Sequence, residues 1–565
     1  MKNPNILTVY FDDKRPESEK QGHGVDVQGP IDYSPLPRVT ARTFWMGVLV
    51  SMGGLIFGYD TGQISGFLEM PDFLDRFGQR NSQGVAYFST VRSGLIVALL
   101  SIGTLIGALV AAPVADRIGR KHSISFWSVI VSVGFIVQIA SVTAWYQMMI
   151  GRFIAGLGVG ALSLLVPMYQ SESAPPWVRG ALVSTYQLFI TMGIFLAACF
   201  NYGTVEHQAG NSGSWRIVIG LGWLWAGILG FGIQAFPETP RYDYRHGHVQ
   251  RATRTLCKIY GASENHWSIQ VQLEEIETKF KAESQLKVGP VQDFINMLRA
   301  PRMAYRIALG IGLQALQQLT GANYFFYYGT TIFKSVDINS YVTQIILNTI
   351  NFGVTFIGLY LVEHYGRRKS LIAGSIWMFV CFLIFASVGH FSLDRNNPQN
   401  TRGAGIALIV FACFFILGFA TTWGPMIWTI MSEIYPSRYR AKAMSLATAS
   451  NWTWNFLIAF FTPFITKSID FRYGYVFAGC NVLAAAVVYF FVIEGQGKTL
   501  EEIDTMYLEG VPAWKSSKWI PPPQAEMAHI RQRAGTELTP DDHSKDRAVH
   551  NGEEANPQIS HHEAV

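Results

Sequence analysis

The chain has 565 residues, of which 49% are hydrophobic, 14% aromatic and only 15% charged. A sequence this long and this apolar excludes a single water-soluble domain and predicts a protein that crosses a membrane many times. The formal net charge is +5, and the Lys and Arg residues cluster in alternate loops between apolar runs. We therefore expect a lipid bilayer, and no nucleic acid, as the partner of this chain.

Apolar runs of about 17 residues or more are long enough to cross a bilayer, and they predict an all-α membrane protein with twelve transmembrane helices. We number these helices spans 1 to 12 in chain order. They are predicted near residues 45–67, 90–112, 123–142, 146–170, 181–202, 216–236, 304–333, 341–362, 371–389, 405–431, 444–466 and 474–493.

The twelve spans fall into two groups of six. The segment between them has helical apolar spacing with charges on the other side, which predicts a helical insert outside the membrane. The ends of the chain are polar, and residues 1–43 and 510–565 are predicted to be disordered. The predicted domains are a tail of residues 1–43, an N-terminal bundle of residues 44–236, an insert of residues 237–303, a C-terminal bundle of residues 304–493 and a tail of residues 494–565.

The basic residues indicate how the chain is oriented. Arg120 and Lys121 follow span 2, and Arg367 and Lys369 follow span 8. Because loops rich in Lys and Arg stay on the cytoplasmic side, these loops, the insert and both termini are predicted to be cytoplasmic. Residues 1–40 contain no apolar core, so we expect no cleavable signal peptide. The five cysteines lack the spacing of metal ligands, so we expect neither a metal site nor a disulfide framework.

The two groups of spans carry the same loop motifs. Residues 116–121, DRIGRK, follow span 2, and residues 363–368, EHYGRR, follow span 8. Residues 171–175, SESAP, follow span 4, and residues 432–436, SEIYP, follow span 10. Two parallel repeats are typical of transporters in which the substrate site lies between the repeats near the bilayer midplane.

Span 7 carries polar residues where a membrane helix rarely has any. Gln314, Gln317, Gln318 and Gly321 share one helical face, whereas Asn323 falls outside it. Because an unpaired amide is costly in hydrocarbon, these side chains are predicted to face a cavity. We expect Gly321 to break the helix and to turn Asn323 toward the same cavity. The alternative is that the amides only join neighbouring helices.

Further motifs occur in a fixed order along the chain. They are GYDTG at 58–62, DRIGRK at 116–121, GR at 151–152, PMYQSE at 167–172, PETPRY at 237–242 and QQLTGAN at 317–323. This set resembles the sugar porter family of the major facilitator superfamily, and is most similar to fungal hexose transporters. Residues 493–497, IEGQG, depart from the PETKG that is typical of the family, although Glu494 is retained. The resemblance implies two pseudo-symmetric six-helix bundles that work by alternating access, with no enzymatic activity and no cofactor.

The resemblance also implies which residues bind substrate. A monosaccharide offers hydroxyls that donate and accept hydrogen bonds and apolar ring faces, and side-chain amides and indole rings match these groups. Tyr327 and Trp452 are either gate or packing residues. Gly424 and Pro425 are predicted to form a hinge, because Pro removes a helical hydrogen bond and Gly tolerates bending. The positions that match the sugar contacts of the family are Gln187, Gln317, Gln318, Asn323, Asn348, Trp428 and Asn451.

A network of charges is predicted on the cytoplasmic side. Carboxylate and guanidinium groups there are expected to pair between helices, to close that side and to favour the outward-open state. The alternative is that the charges only set the topology. We call this set the charge latch, and it comprises Asp116, Arg117, Arg120, Glu172, Arg179, Glu238, Arg241, Glu363, Arg367, Glu433, Arg440 and Glu494.

Asp60 and Arg152 are charged residues inside predicted spans. At 1.5 Å per residue, Asp60 lies about 22 Å from the inner end of span 1, and Arg152 lies about 9 Å from the outer end of span 4, in a hydrocarbon core of about 30 Å. The depths agree, so the side chains are predicted to pair. Proton-coupled sugar porters carry an acid and an arginine at the matching positions, which makes this pair the candidate for proton coupling. The alternative is a structural ion pair in a uniporter.

We expect a monosaccharide transporter of the plasma membrane, with glucose as the substrate by resemblance and the proton as a candidate co-substrate. One alternative is a glucose sensor of the same fold, which is disfavoured because only residues 511–565 follow the region that resembles the family, whereas sensor-like relatives tend to have a long tail. Another is a facilitator for a different neutral sugar or a polyol. No Arg or Lys stands among the predicted substrate contacts to pair with a carboxylate, so a neutral substrate is favoured.

Overall fold

The computed structural model describes residues 31–533, except 38, 209, 286–288, 335–338, 395–397, 437–438 and 499. Most of the disorder predicted for residues 1–43 and 510–565 therefore falls outside the described residues. The two ends that are described do not fit that prediction. Asp32 and Thr40 form hydrogen bonds with the insert, and two further helical segments follow residue 510.

The twelve predicted spans are present, and two of them are broken. Spans 1 to 6 are Ala41–Phe67, Thr90–Ile118, Arg120–Ile139, Trp145–Ser173, Pro176–Gln208 and Gly213–Gly232. Span 7 consists of Met303–Leu319 and Ala322–Lys334, and span 10 consists of Arg402–Thr421 and Trp423–Glu433. The others, spans 8, 9, 11 and 12, are Ser340–His364, Arg367–Ser387, Arg440–Ile469 and Tyr473–Phe491.

By length and composition alone, 10 helical segments of the described chain could cross a membrane. This count is lower than twelve for two reasons. The segment Lys442–Phe491 spans 50 residues and contains both span 11 and span 12. Span 7 is not counted, because its break leaves a first segment, Met303–Leu319, of only 17 residues.

The shorter elements lie between and after the spans. Between spans 1 and 2 are the helix Pro71–Phe77 and an antiparallel hairpin of Gln79–Arg80 and Ala86–Tyr87. After span 6 come the 3-10 turn Ile233–Ala235 and the insert helices Pro240–Arg245, Val249–Tyr260, Trp267–Gln285 and Pro290–Arg299. Short turns occupy Val388–Ser392, Pro398–Thr401 and Asp470–Arg472. Span 12 is followed by the helix Leu500–Glu509, the 3-10 helix Ala513–Lys518 and the helix Gln524–Arg533.

Spans 1–6 and spans 7–12 each form a bundle with the same internal arrangement. Span 1 packs on span 5, span 2 on span 4 and span 3 on span 6, and these pairings recur as 7 on 11, 8 on 10 and 9 on 12. Each bundle has its own hydrophobic core, around Phe135 and Leu162 in the N-terminal bundle and around Phe382 and Phe415 in the C-terminal one. The sequence repeat is therefore a repeat of structure.

Glycines let the spans of the N-terminal bundle approach closely. A Cβ at Gly58 would overlap the carbonyl of Ile190 in span 5, and a Cβ at Gly160 would overlap the backbone of Thr104 in span 2. Small residues at helix interfaces allow such contact between backbones. They fix span 1 against span 5 and span 4 against span 2, and so position the charged side chains that spans 1 and 4 carry.

The bundles meet through spans 2 and 11, through spans 5 and 8, and through span 1 and the second segment of span 7. We call the side of the membrane that carries the insert the insert face, and the other side the opposite face. The hydroxyls of Ser65 and Thr330 are 3.0 Å apart, and the Tyr341 hydroxyl donates to the carbonyl of Gly66 at 3.0 Å. These contacts hold the two bundles together near the opposite face.

The insert contacts both bundles. The carbonyl of Ile259 accepts the hydroxyl of Thr43 at 2.9 Å, which joins the helix Val249–Tyr260 to span 1. Asp293 in the helix Pro290–Arg299 forms an ion pair with Lys442 of span 11. The insert is therefore fastened at one end to the N-terminal bundle and at the other end to the C-terminal bundle.

Candidate functional site

Span 7 breaks where the sequence predicted. Gly321 has φ +95°, a left-handed conformation that favours glycine, and a Cβ there would overlap the rings of Phe477 and Phe382. The break frees backbone groups, and the buried Asn481 donates its amide to the carbonyl of Thr320 at 3.2 Å. A new helical segment begins at Ala322, and Asn323 is its second residue. This geometry allows Asn323 to reach the face of the preceding segment.

Five amides of spans 7 and 11 form one connected network. Asn323 donates to the Oε1 atom of Gln318 at 2.5 Å, and Gln318 donates to the Oδ1 atom of Asn451 at 3.0 Å. Asn451 in turn donates to Gln314 at 2.7 Å and to Gln317 at 2.8 Å. The five side chains therefore meet at one place, while their exposure to a substrate cavity stays a prediction. Because each amide both donates and accepts, the network can exchange internal hydrogen bonds for bonds to a polyhydroxylated ligand.

Asn455 extends this network toward the N-terminal bundle. Its Nδ2 atom donates to Gln318 at 3.4 Å, while its Oδ1 atom accepts the hydroxyl of Tyr327 at 2.9 Å and that of Ser101 in span 2 at 2.6 Å. The sequence reasoning did not identify Asn455. The signal was available, because Asn455 lies one helical turn after Asn451 and therefore shares its face.

Span 10 is connected to the same network. Gln317 donates to the carbonyls of Trp423 and Gly424, at 2.9 and 3.1 Å. These carbonyls follow a break at Thr422, whose φ and ψ are −125° and −79°. The hinge predicted at Gly424 and Pro425 is therefore misplaced by two residues. Pro425 lies in the first turn of the new segment, where a missing N–H costs no helical hydrogen bond.

Three of the predicted substrate contacts are outside the hydrogen-bonded network. Trp428 lies one turn after Gly424 and is 37% exposed. Gln187 is partly exposed and forms no hydrogen bond with any residue that the structure describes. Asn348 in span 8 is fully buried, and neither of its amide atoms has a hydrogen-bond partner within the described ranges of the chain. The indole face of Trp428 is thus partly free for contact with a ligand, and the amides of Gln187 and Asn348 form no hydrogen bond with the described residues.

Asp60 and Arg152 lie next to each other, as their depths predicted. The Nη1 atom of Arg152 is 3.5 Å from Oδ1 of Asp60, and both side chains are completely buried. Gln63 donates to the same Oδ1 atom at 2.6 Å. The Oδ2 atom of Asp60 and the three guanidinium nitrogens of Arg152 have no hydrogen-bond partner among the residues that the structure describes. The two ionisable groups are thus buried and incompletely satisfied, an arrangement that is costly in hydrocarbon.

Tyr327 and Trp452 are both buried at the contact between the bundles. Tyr327 belongs to the hydrophobic core of the N-terminal bundle although it lies in span 7. Trp452 packs edge-on against Phe57 of span 1, with ring centroids 5.4 Å apart. Their neighbours fit packing and gating equally, because a gate residue must also pack when the gate is closed.

Part of the charge latch forms ion pairs, and these pairs lie within each bundle. Arg120 contacts Glu172 at 3.2 Å and Asp116 at 3.1 Å, and Arg367 contacts Glu433 at 3.0 Å. The pair of Arg120 with Glu172 joins the start of span 3 to the end of span 4, and the pair of Arg367 with Glu433 joins the equivalent ends of spans 9 and 10. The pair of Arg120 with Asp116 lies within the connection between spans 2 and 3. We expected pairs that close the insert face, but these pairs connect helices of one bundle.

Two latch carboxylates bind backbone groups instead of guanidinium groups. Glu238 accepts the N–H groups of Arg120 and Lys121, both at 3.0 Å, and Glu494 accepts those of Arg367 and Arg368, at 2.9 and 3.2 Å. These N–H groups begin spans 3 and 9, where a helix has free donors and a favourable dipole for an anion. The expected pairing with arginine side chains is wrong for these two residues.

The approach of each carboxylate requires the glycine that precedes the capped helix. Gly119 and Gly366 have φ +90° and +87°, and a Cβ on either would overlap the capping carboxylate. Burial raises the pKa of the Glu238 carboxyl, and the backbone donors of Thr239, Lys121 and Arg120 oppose that rise.

The remaining latch residues have other contacts. Arg179 donates to the carbonyl of Ala174, and Arg440 donates to that of Tyr435. Arg241 lies 3.9 Å from Glu275 of the insert, and Arg117 is exposed. The side chain of Glu363 lies outside the described residues. Among the described residues, no cluster of three or more His, Cys, Asp or Glu side chains is arranged to hold a metal ion.

Comparison with known proteins identifies the family of this chain. Residues 46–507 match the family described as "Sugar (and other) transporter". The chain belongs to this family. A low-affinity glucose transporter of Kluyveromyces lactis is 47% identical over 479 residues, 84% of each chain. A high-affinity fructose transporter of Schizosaccharomyces pombe is 44% identical over 496 residues, 87% of this chain and 91% of that protein.

A solved structure supports the same membership in the sugar transporter family. The xylose transporter XylE from E. coli, solved as a proton:xylose symporter bound to 6-bromo-6-deoxy-D-glucose, has a TM-score of 0.68 and 26% identity. The match covers 83% of this chain and 99% of that chain. The chain is therefore a multi-pass membrane protein with the major facilitator fold, a transporter and not an enzyme.

Proposed function

We propose that this protein transports a hexose, with glucose as its substrate, by alternating access. The observation that carries the proposal is the connected amide network at the break of span 7, in a chain of the sugar transporter family. Relatives at 47 and 44% identity are named for glucose and for fructose. A hexose fits both names, and the choice of glucose follows the relative of higher identity.

The chemistry of the network favours a neutral sugar. Gln317, Gln318, Asn323 and Asn451 offer both donors and acceptors, while Asn348 and Gln187 have unused amide groups. Hydroxyl groups of a sugar can replace the amide-to-amide bonds and pair with the unused groups. The indole of Trp428 provides an apolar face for the sugar ring.

We also propose that the insert face is cytoplasmic and that the protein resides in the plasma membrane. The loops that carry Arg120, Lys121, Arg367 and Arg368 lie on the insert face, and loops rich in basic residues stay in the cytoplasm. Both termini are then cytoplasmic. The bundles are held together at the opposite face, so this conformation is the inward-facing one.

Proton coupling through Asp60 and Arg152 is the second part of the proposal. The pair is completely buried and its members are 3.5 Å apart. Loss of a proton from Asp60 is favoured while the guanidinium is adjacent, and uptake is favoured when the bundles move and separate the two groups. The structural neighbour described as a proton:xylose symporter supports this assignment.

Uptake of radiolabelled sugar in cells without their own hexose carriers tests the transport function. Competition with a panel of sugars and polyols identifies the substrate. Gln317→Ala should raise the apparent KM roughly tenfold while the protein still reaches the membrane, because its partners in the network are left unpaired. Normal uptake by this variant would place the substrate elsewhere.

A separate measurement tests coupling. Cells that express the parent should accumulate sugar against its gradient, and a protonophore should abolish the accumulation. Asp60→Asn should lose accumulation but keep exchange of sugar across the membrane. If uptake in the parent only equilibrates and ignores both external pH and protonophore, the protein is a uniporter and the pair is structural.

A further inference from the structure

The segment that follows the helix Leu500–Glu509 is fixed against the end of span 12. In its 3-10 helix, Ala513 and Ser516 are buried. The hydroxyl of Ser516 accepts the N–H of Glu494 at 3.0 Å, and Glu494 in turn caps span 9. Because one side of the segment is fastened in this way, the side chains on its other side have defined positions. Their arrangement is not explained by the transport site, which lies near the middle of the spans.

The outer side of this segment continues the lipid-facing surface of span 12. Trp514 is 50% exposed, and its ring centroid is 6.2 Å from that of Phe490, which is 52% exposed in the last turn of the span. Tryptophan is enriched where a membrane meets water, because its ring is apolar and its N–H is polar. Trp514 is therefore at the depth of the phospholipid headgroups on the insert face.

Two lysines stand beside this tryptophan. Lys515 and Lys518 are exposed and share one side of the 3-10 helix, which has three residues per turn. Neither forms an ion pair with a residue that the structure describes. With Val511, Pro512 and the two indoles, they line a groove of about 510 Å³, and the complete lining is Val511, Pro512, Trp514, Lys515, Lys518 and Trp519.

The neighbouring charges leave this groove positive. Lys498 lies 5.0 Å over the ring of Trp519. Glu502 and Glu494 lie close enough to offset its charge, so Lys498 adds no free cation to the groove. The carboxylate at the edge of the groove, Glu509, accepts the indole N–H of Trp519 at 3.1 Å. Lys515 and Lys518 thus remain as the two cations of the groove, and the carboxylate at its edge is committed to a hydrogen bond.

We propose that this groove binds the headgroup of an anionic phospholipid from the leaflet on the insert face. The phosphate and carboxylate groups of such a lipid match Lys515 and Lys518, while its acyl chains continue along Phe490 and Trp514. Basic residues at the membrane surface attract acidic lipids, and an aromatic anchor keeps them at headgroup depth. A lipid bound there would fasten the segment Ala513–Lys518 to the membrane. Because Ser516 of this segment contacts Glu494, the lipid would also hold in place the carboxylate that caps span 9.

Native mass spectrometry of the full-length protein in neutral detergent tests this proposal. The protein is titrated with phosphatidylserine or with phosphatidylcholine, and the retained lipids are counted. The double variant Lys515→Gln/Lys518→Gln should bind phosphatidylserine roughly tenfold more weakly than the parent, with equal retention of phosphatidylcholine. Lys467→Gln is the matched control, because Lys467 is an exposed lysine at the opposite-face end of span 11.

Three results would overturn the proposal. The first is equal affinity for phosphatidylserine in the parent and the double variant. The second is binding that arises only after residues 534–565 are removed, because that acidic stretch would then be the occupant of the groove. Soluble glycerophosphoserine is the third arm of the experiment. If it competes as well as the intact lipid, the groove recognises a free anion and not a membrane lipid.

Discussion

Asn348 differs from the other amides of the proposed sugar site because both of its polar atoms are buried without a partner. An unpaired buried donor or acceptor costs roughly 1 to 3 kcal/mol, and no residue in the described part of the chain offsets this cost at Asn348. Such a residue is explained if a ligand supplies the partners during part of the cycle. Gln317 and Asn451 differ, because they pair with each other in the absence of ligand.

Asn348→Leu should therefore make the protein more stable and less active. Leucine has the same number and branching of side-chain heavy atoms and needs no hydrogen-bond partner. The thermal midpoint should therefore rise by the equivalent of about 1 kcal/mol, while sugar uptake falls about tenfold. Scanning fluorimetry and uptake on the same preparation measure both effects. Asn481→Leu is the matched control, since Asn481 is equally buried but donates to the carbonyls of Thr320 and Phe477. It should lower the midpoint, and a lowered midpoint in both variants would contradict the interpretation.

At this scale the sequence predicts which residues are candidates, but not their partners. The polar positions of span 7 stand out against an apolar background, so Gln317 and Gln318 could be found by inspection. The bonds from Gln318 to Asn451 and Asn455 join positions more than 130 residues apart. Such pairings depend on how spans 7 and 11 pack, which a pattern within one helix does not contain.

Two of the helices are broken, and only one break was correctly located from the sequence. Gly321 marks the first, because only glycine adopts φ +95° without strain. The second break is at Thr422, where no glycine or proline stands. The hydroxyl of Thr422 donates to the carbonyl of Gly418 at 2.6 Å. Span 9 packs closely on this hydroxyl, because a Cβ at Gly374 would overlap it. A contact from another span therefore fixes this break, and the local sequence does not show it.

Gly321→Ala should damage both folding and transport. The methyl group would force a strained backbone and overlap two phenylalanine rings, at a cost on the order of 1 to 3 kcal/mol. The variant should show a lower thermal midpoint and little uptake. Gly312→Ala in the first segment of the same span is the control, because nothing lies within 4 Å of its added methyl group. Equal behaviour of the two variants would show that the break is not needed.

At the scale of the whole molecule, the contacts between the bundles are concentrated near the opposite face. Ser65 and Thr330 are both buried there and hydrogen-bonded to each other. Ser101 reaches across to Asn455 closer to the amide network. In a rocking transporter such contacts have to break when the site opens to the opposite face, so their strength sets the balance between the two states.

Thr330→Val should shift this balance toward the state that is open at the opposite face. Valine keeps the shape of threonine but loses the hydroxyl, and a net hydrogen bond is worth about 1 kcal/mol, or roughly fivefold in population. Spin labels at positions 84 and 467, on the two bundles at this face, should show a larger fraction of long distances. Thr453→Val is the control, because the exposed Thr453 donates only within its own helix. An identical distance distribution in parent and Thr330→Val would mean that these contacts do not set the state.

The carboxylate caps have a consequence for the origin and assembly of the chain. Glu238 follows span 6 and its 3-10 turn and caps span 3, and Glu494 lies three residues after the end of span 12 and caps span 9. Each half thus contributes its own closing residue and takes none from the other half. A gene for six spans with one such residue would have encoded a complete unit before it was duplicated.

The same feature predicts that the chain tolerates being made in two pieces. Fragments 1–288 and 289–565, expressed together, should assemble and take up sugar. The cut falls between the insert helices Trp267–Gln285 and Pro290–Arg299, so each capping carboxylate stays on the same fragment as the helix that it caps. Fragments 1–236 and 237–565 should assemble poorly, since Glu238 is then separated from the spans that it closes. Uptake in cells that express both fragments, compared with each fragment alone, measures the difference. Comparable uptake from the two pairs of fragments would show that the halves do not depend on their own caps. The caps would then give no support to an origin from a six-span unit.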